Sequence, residues 1–209
     1  MSPEVRSGRA DLGPIASRAE APASLEIPSP HLGLDWRPLK LADAHTLHGL
    51  VAAIEHADGL VSRAALGDVE EWLRRPWHHL SSDSLAGFDH LGELRAYGLV
   101  AIEPGESSRV RALLDGGVHP EWRGVGVGRA LVAWMEGRGR QLLAGTGAEG
   151  PASLAVYVDA SVRDRRAMYA AAGFSPVRWF TELRRSLTEP IPELPAPDGV
   201  RVLPWCEEL

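Results

Sequence analysis

The stretch Val118-His119-Pro120-Glu121-Trp122-Arg123-Gly124-Val125-Gly126-Val127-Gly128-Arg129-Ala130-Leu131 decides how this chain is read. Its apolar start, glycine-rich middle and helix-forming end predict a strand end, a tight turn and a helix start. Glycines at every second position, Gly124, Gly126 and Gly128, remove the Cβ atoms that would keep backbone N–H groups from converging. The following helix adds the positive end of its dipole and its unpaired first-turn N–H groups, so the turn suits a pyrophosphate. Spacing excludes two other phosphate loops. A P-loop needs a lysine directly after its last glycine, and the one lysine in the chain is Lys40. A dinucleotide fingerprint needs G-x-G-x-x-G, which these alternating glycines do not supply.

What the residues do spell is [RQ]-x-x-G-x-[GA], as Arg123-Gly124-Val125-Gly126-Val127-Gly128, after the strand-like Leu113-Leu114-Asp115-Gly116-Gly117-Val118. This resembles the pyrophosphate loop of the Gcn5-related N-acetyltransferase (GNAT) superfamily. Downstream, Tyr169-Ala170-Ala171-Ala172-Gly173-Phe174 follows a strand-like Ser153 to Val158 and resembles the family's tyrosine and glycine-phenylalanine helix exit, in the family's order. The resemblance implies acetyl-CoA as acyl donor and an amine as acceptor. It implies backbone N–H groups of Val118 and of Arg123, Gly124, Val125, Gly126, Val127, Gly128 and Arg129 as the cofactor site, with Arg123 and Arg129 adding charge-assisted bonds. It also implies Tyr169 as the acid that protonates the departing thiolate. One position departs from the pattern: the asparagine the family often places seven residues before this tyrosine is Val162.

The chain has 209 residues, 44% of them hydrophobic, which suits one domain with appendages and a sizeable core. A formal charge of −6 argues against a nucleic-acid partner. The single cysteine, Cys206, excludes an internal disulfide or a cysteine-cluster metal site and fits a reducing, cytoplasmic setting. No apolar run approaches the roughly 20 residues of a membrane span. Residues 1–32, rich in Pro, Ser, Ala and Gly, read as a flexible leader, residues 33–187 as the GNAT-like domain, and residues 188–209 as a proline-rich linker. At its end Gly199 to Trp205 looks like Leu34 to Leu39 again. That is either the start of a second domain, as in tandem members of the superfamily such as the mycothiol-synthase-like group, or a simple C-terminal arm.

Within the domain, Leu34 to Leu39 reads as a short first strand. Leu47, Leu50, Val51 and Ile54 recur at helical spacing and predict a helix over 42–57, closed by Gly59. Asp68 with Glu71 marks a second helix start, ended by Pro76. Ser84 to Asp89 and Leu94 to Ile102 read as antiparallel strands around a turn at His90 to Gly92. Arg109 to Val118 is the strand into the loop, with Gly116-Gly117 as a bulge that frees backbone groups for a pantetheine arm. Val162 to Ala172 is a helix, and the alternation of Val177, Trp179, Thr181, Leu183 and Leu187 predicts a long final strand. The sum is an α/β fold, a mixed, mostly antiparallel sheet of 6–7 strands with helices on both faces.

No general base stands out: Glu103, Glu106 and Asp115 each read as solvated carboxylates. His119 reads as shaping the turn before Pro120, and His78-His79, with no third ligand nearby, as surface, so no metal site is expected. The acceptor region is expected between Asp58 and His79 and along Arg178 to Glu182, where Trp72, Trp77, Trp179 and Phe180 either line an apolar pocket or belong to the core. The competing reading is a noncatalytic acyl-CoA-binding or structural half of a tandem protein. Oligomeric state is left open.

Overall fold

The computed structural model describes residues 12–105, 109–188, 190, 192 and 197–201. Glu106, Cys206 and most of the suspected second-domain start lie outside the described residues. Contacts divide the chain into two units, Met1–Ser175 and Pro176–Leu209.

The first unit holds a five-stranded sheet in the order β1 (Asp35–Arg37), β2 (Ser84–Phe88), β3 (Leu94–Ile102), β4 (Val110–Val118), β5 (Ala152–Ala155). The first three pairings are antiparallel and β4–β5 is parallel. Helix α1 (Ala44–Ala57) presents Leu47, Leu50 and Ile54, with Val69 and Leu73 of α2 (Leu66–Leu73), to the face carrying Ala86 and Tyr97. Helix α4 (Val127–Gly145) covers the other face, packing Leu131 and Met135 on Ala96, Val100, Ala112 and Leu114. A four-residue helix α3 (Leu80–Asp83) leads into β2. There Asp83, 2% exposed, accepts from Arg138 of α4 at 2.6 Å. Helix α5 (Arg163–Ala171) ends at Gly173, whose φ of +88° is the left-handed stop the sequence predicts.

The sheet therefore has five strands among the described residues, not six or seven. The segment from Val177 to Leu187 alternates as a strand would but enters no ladder, and it belongs to the second unit, where Val177, Leu183 and Leu187 are exposed. Alternation says that a segment suits a two-sided surface; it does not supply an edge to pair with. The same unit turns at Pro197, where the Val200 amide donates to the Pro197 carbonyl at 3.0 Å.

Three local expectations also change. Residues of the expected leader join the core: Ile15 is 1% exposed, its amide donates to the Ala148 carbonyl at 2.9 Å, and Gln141 and Arg140 of α4 donate to the carbonyls of Pro22 and Ala19. Helix α2 starts three residues earlier than Asp68 suggests, because Asp68 works from inside its first turn, accepting from the Ala65 amide at 2.8 Å. Gly116 and Gly117 form no bulge; they pair in unbroken register with Gly98 and Tyr97, and the irregularity lies between β2 and β3 at Gly87/Phe88. A Cβ on Gly116 would lie 2.7 Å from the Tyr97 carbonyl oxygen, and one on Gly117 2.5 Å from Ile54 Cδ1. The pair is glycine because both helices press close on it.

Candidate functional site

After β4 the chain makes a short 3₁₀ turn, Pro120–Trp122, with Pro120 at its first position and the His119 ring accepting from the Glu121 amide at 3.4 Å. His119 thus shapes the turn, as its place before Pro120 suggests. Gly124 and Gly126 follow with φ of +80° and +101°, a region side chains disfavour, and Gly126 caps α4 from the left-handed region. The first helical bond is Ala130 N–H to Gly126 O at 3.1 Å. The six consecutive N–H groups from Gly124 to Arg129 have no protein acceptor among the described residues. Gly128 serves packing: a Cβ there would lie 3.0 Å from Met168 Sδ, so the missing side chain lets α5 close on the start of α4.

The two loop arginines differ. Arg129 is exposed and makes no ion pair among the described residues. Arg123 is engaged: its Nη1 donates to Asp58 Oδ1 at 2.5 Å and its Nε to the Val118 carbonyl at 3.2 Å. Asp58, 3% exposed at the end of α1, also accepts from Arg165 of α5 at 3.3 Å. One carboxylate thereby ties α1, the glycine loop and α5 together.

Beside the loop the sheet opens. Pairing of β4 with β5 stops at Leu113↔Ala155, so Leu114 to Val118 have β3 on one side only. The His119 amide donates to Arg95 O at 2.7 Å, and an antiparallel ladder alternates. The amides of Gly116 and Val118 accordingly point into the opening. Tyr169 of α5 is 6% exposed, its ring edge-on to Phe174 at 5.4 Å. Its hydroxyl has no hydrogen-bond partner among the described residues, and burial, partly offset by Arg165, pushes its pKa up to about 12.

An opened strand end, a row of free N–H groups at a helix start and a protonated tyrosine behind them agree with the comparisons to known proteins. The sequence model of the acetyltransferase (GNAT) family matches residues 51–174, more than half of the chain. The chain belongs to that family. Among solved structures, the GCN5-related N-acetyltransferase from Sphaerobacter thermophilus is 28% identical with a TM-score of 0.57, over 69% of this chain and 44% of that one. The chain thus spans less than half the length of that relative. An aminoglycoside acetyltransferase from an uncultured soil metagenomic sample in complex with sisomicin has a TM-score of 0.51 at 14% identity, over 75% of this chain and 100% of that one. Aminoglycoside N-acetyltransferase AAC(6')-Iy in complex with CoA has a TM-score of 0.50 at 20% identity, over 73% and 94%. These two share the GNAT fold. No curated protein matches the chain.

The α1–α2 side of this GNAT domain corrects the sequence reading at one histidine. His78 is half-buried, not surface: its Nδ1 lies 2.7 Å from the Trp72 carbonyl, its ring stands edge-on to Trp72 at 5.2 Å, and burial lowers its pKa. Trp72 also meets Tyr97 edge-on at 6.2 Å. Trp77 lines an open depression of about 580 Å³ with Glu71, Arg74, Arg75, Pro76, Glu103 and Pro104, where Arg75 and Glu103 pair at 3.5 Å. Trp179 and Phe180 belong to the second unit and are exposed. Two carboxylates take their places only in the fold. Asp58 carries no motif, and its signal, an acid just before the helix-closing Gly59, is common. Asp115 was legible as a carboxylate in the cofactor strand, but its pairing with Tyr97, whose hydroxyl donates to it at 3.4 Å, needs the register of β3 and β4. Among the described residues no group of three or more His, Cys, Asp and Glu is placed to hold a metal, and no helix is long and apolar enough to cross a membrane.

Proposed function

We propose that this chain moves an acetyl group from acetyl-CoA to an amine by direct transfer. The observation that carries the reading is the row of six N–H groups from Gly124 to Arg129 without a protein acceptor, at the positive end of α4. These amides hold the pyrophosphate, with Arg129 as the cation in reach. The Gly116 and Val118 amides at the open end of β4 hold the pantetheine arm as an added strand. The thioester supplies an activated acyl carbon. Tyr169, kept protonated by burial, gives its hydroxyl proton to the leaving sulfur. The engagement of Arg123 by Asp58 moves that arginine from a phosphate ligand to a brace of the loop.

A noncatalytic acyl-CoA-binding half of a longer protein is the second reading. It is favoured by Val162 at the position where the family often has asparagine, and by the 44% of the Sphaerobacter relative that the chain spans. Calorimetric titration with acetyl-CoA tests what both readings share. Saturable binding by the parent chain, weakened at least about 100-fold in Gly126→Glu by a strained backbone and an opposed charge, is expected. Absence of saturable binding by the parent overturns both, and binding without turnover on any amine favours the second.

A further inference from the structure

Residues 15–33 run as a strap along α4, in the direction opposite to the helix. The Ile15 amide donates to the Ala148 carbonyl just past the helix end at 2.9 Å. Next, Arg140 donates to the Ala19 carbonyl at 3.1 Å and Gln141 to the Pro22 carbonyl at 2.9 Å. Leu25 follows at Gly137, where a Cβ would lie 2.7 Å from Leu25 Cδ2. The strap ends at the glycine loop. Among the described residues, and apart from its chain neighbours, the one heavy atom within 4 Å of a Cβ built on Gly126 is Leu32 Cδ2, at 3.5 Å. A Cβ on Gly33 would lie equally close, 3.5 Å, to the ring of Trp122 in the 3₁₀ turn before the loop. Gly137 and Gln141 are one helical turn apart and Gly126 about three turns earlier, so one face of α4 meets the strap from end to end.

The helix is shaped to take it. Glycine weakens a helix interior, yet α4 has Gly137 facing Leu25 and Gly139 facing β5, where a Cβ would lie 2.5 Å from Leu154 Cδ2. Two residues apart, these glycines point nearly opposite ways, so α4 is pressed between strap and sheet. The strap precedes residues 51–174, the part that the family model matches. At its loop end it meets backbone that donates no bonds inside the protein: the six N–H groups from Gly124 to Arg129 have no acceptor among the described residues, and Gly124 and Gly126 sit at positive φ. The shape of such a turn depends on what packs on it from outside. One such contact is the Arg123–Asp58 pair, and the other is Leu32 on Gly126.

We propose that the strap presets the glycine loop for its anionic guest, and that Leu32 is the positioning residue through which it acts. Docked on Gly126, Leu32 holds the N–H row in the geometry that receives a pyrophosphate, and so tightens the binding of acyl-CoA. This deepens the reading of the Gly124–Arg129 amides as the pyrophosphate seat and rests on it. A loop ordered beforehand spends less of the interaction on its own ordering, so the gain appears as affinity. The coupling is reciprocal, so a bound cofactor also holds the strap on α4. Leu32 acts on the part that CoA and acetyl-CoA share, and it does not distinguish the two.

The test is calorimetric titration of the full chain with acetyl-CoA and with CoA, in the parent, Leu32→Ala, Leu32→Met and Leu73→Ala, with thermal melts of each. Leu73, 2% exposed in the cluster on the other face of the sheet, controls for lost stability alone. Expected is a loss of about 10-fold in Leu32→Ala, the same for both ligands, with most of it recovered in Leu32→Met. Leu73→Ala melts at least as early and keeps both affinities within about twofold of the parent. Hydrogen exchange supplies a second readout: saturating CoA slows the Ile15 amide, at the far end of the strap, in the parent, and this slowing is lost in Leu32→Ala. Should Leu32→Ala not fold, the exchange difference in the parent carries the test. Affinities in Leu32→Ala within about twofold of the parent overturn the proposal, as do an equal loss in Leu73→Ala, a loss confined to acetyl-CoA, or an Ile15 amide that exchanges alike with and without CoA. A parent that binds neither ligand overturns the pyrophosphate reading, and the proposal with it.

Discussion

The two faces of β4 are made from alternate residues of the same nine, and they do opposite work. Ala112 and Leu114 point at α4 and are buried in its apolar stripe, while Asp115, one residue on, points at the α1 side and is exposed. One face is closed by a 19-residue helix; the other is covered by α1 and α2 around Tyr97 and Gly117 but left open beside them. A two-residue period thus lets a strand supply a buried leucine and an exposed carboxylate at adjacent positions. Changes on the closed face should cost stability, and changes on the open face turnover.

The largest contrast is expected between two leucines. Leu131→Ala, a residue of α4 that is 2% exposed against the closed face, should cost about 2–5 kcal/mol, while Leu113→Ala, half-buried on the open face, should cost less, about 1 kcal/mol. Urea unfolding of both checks this, and equal costs would mean that the open face is packed after all. Next comes Tyr169→Phe, which should lower kcat about 100-fold at neutral pH with little change in acetyl-CoA affinity. The same variant carries a stability signature. Because the folded pKa of Tyr169 is raised to about 12 from an ordinary 10, the folded state holds this proton more tightly than the unfolded chain does. Its contribution is fully present below pH 10 and is lost as pH climbs towards 12. Tyr169→Phe should flatten that alkaline decline in thermal melts, and an unaltered decline would place the titration elsewhere. The smallest effect is Gly116→Ala, about 1–3 kcal/mol from pressing a methyl group on the Tyr97 carbonyl and Met135, with kcat of the folded fraction unchanged. A kcat that falls with it would show that the closed face also sets the site's geometry.

How far the sequence could be read depended on the range over which each signal acts. The glycine loop, the stripe of α1 and the hairpin of β2 and β3 are local, and each folds as its spacing predicts. Gly116-Gly117 carried a true signal with the wrong cause, since glycine in a strand marks a bulge and a close approach equally well. Arg123 beside a phosphate loop implied a phosphate ligand until Asp58, 65 residues earlier, claimed it. Ile15 is one apolar residue without periodicity, so its burial could come only from the tertiary fold. The same holds for the site: Tyr169 and the loop were named from pattern, whereas Asp115 and Tyr97 acquire their relation only once β3 and β4 are in register.

The glycine loop has a consequence for how such a site changes over time. Its six donors are main-chain groups that every amino acid except proline possesses, and its geometry depends on atoms that are missing at Gly124, Gly126 and Gly128. The hereditary information at this spot is therefore mostly subtractive. Val125, exposed at 61%, turns its side chain to solvent, whereas at Gly126 even the smallest added carbon forces a backbone that L-residues avoid. Main-chain amides also do not titrate, so the hold on an anion should be nearly the same from mildly acidic to mildly alkaline conditions, leaving acidity to govern only the transfer step.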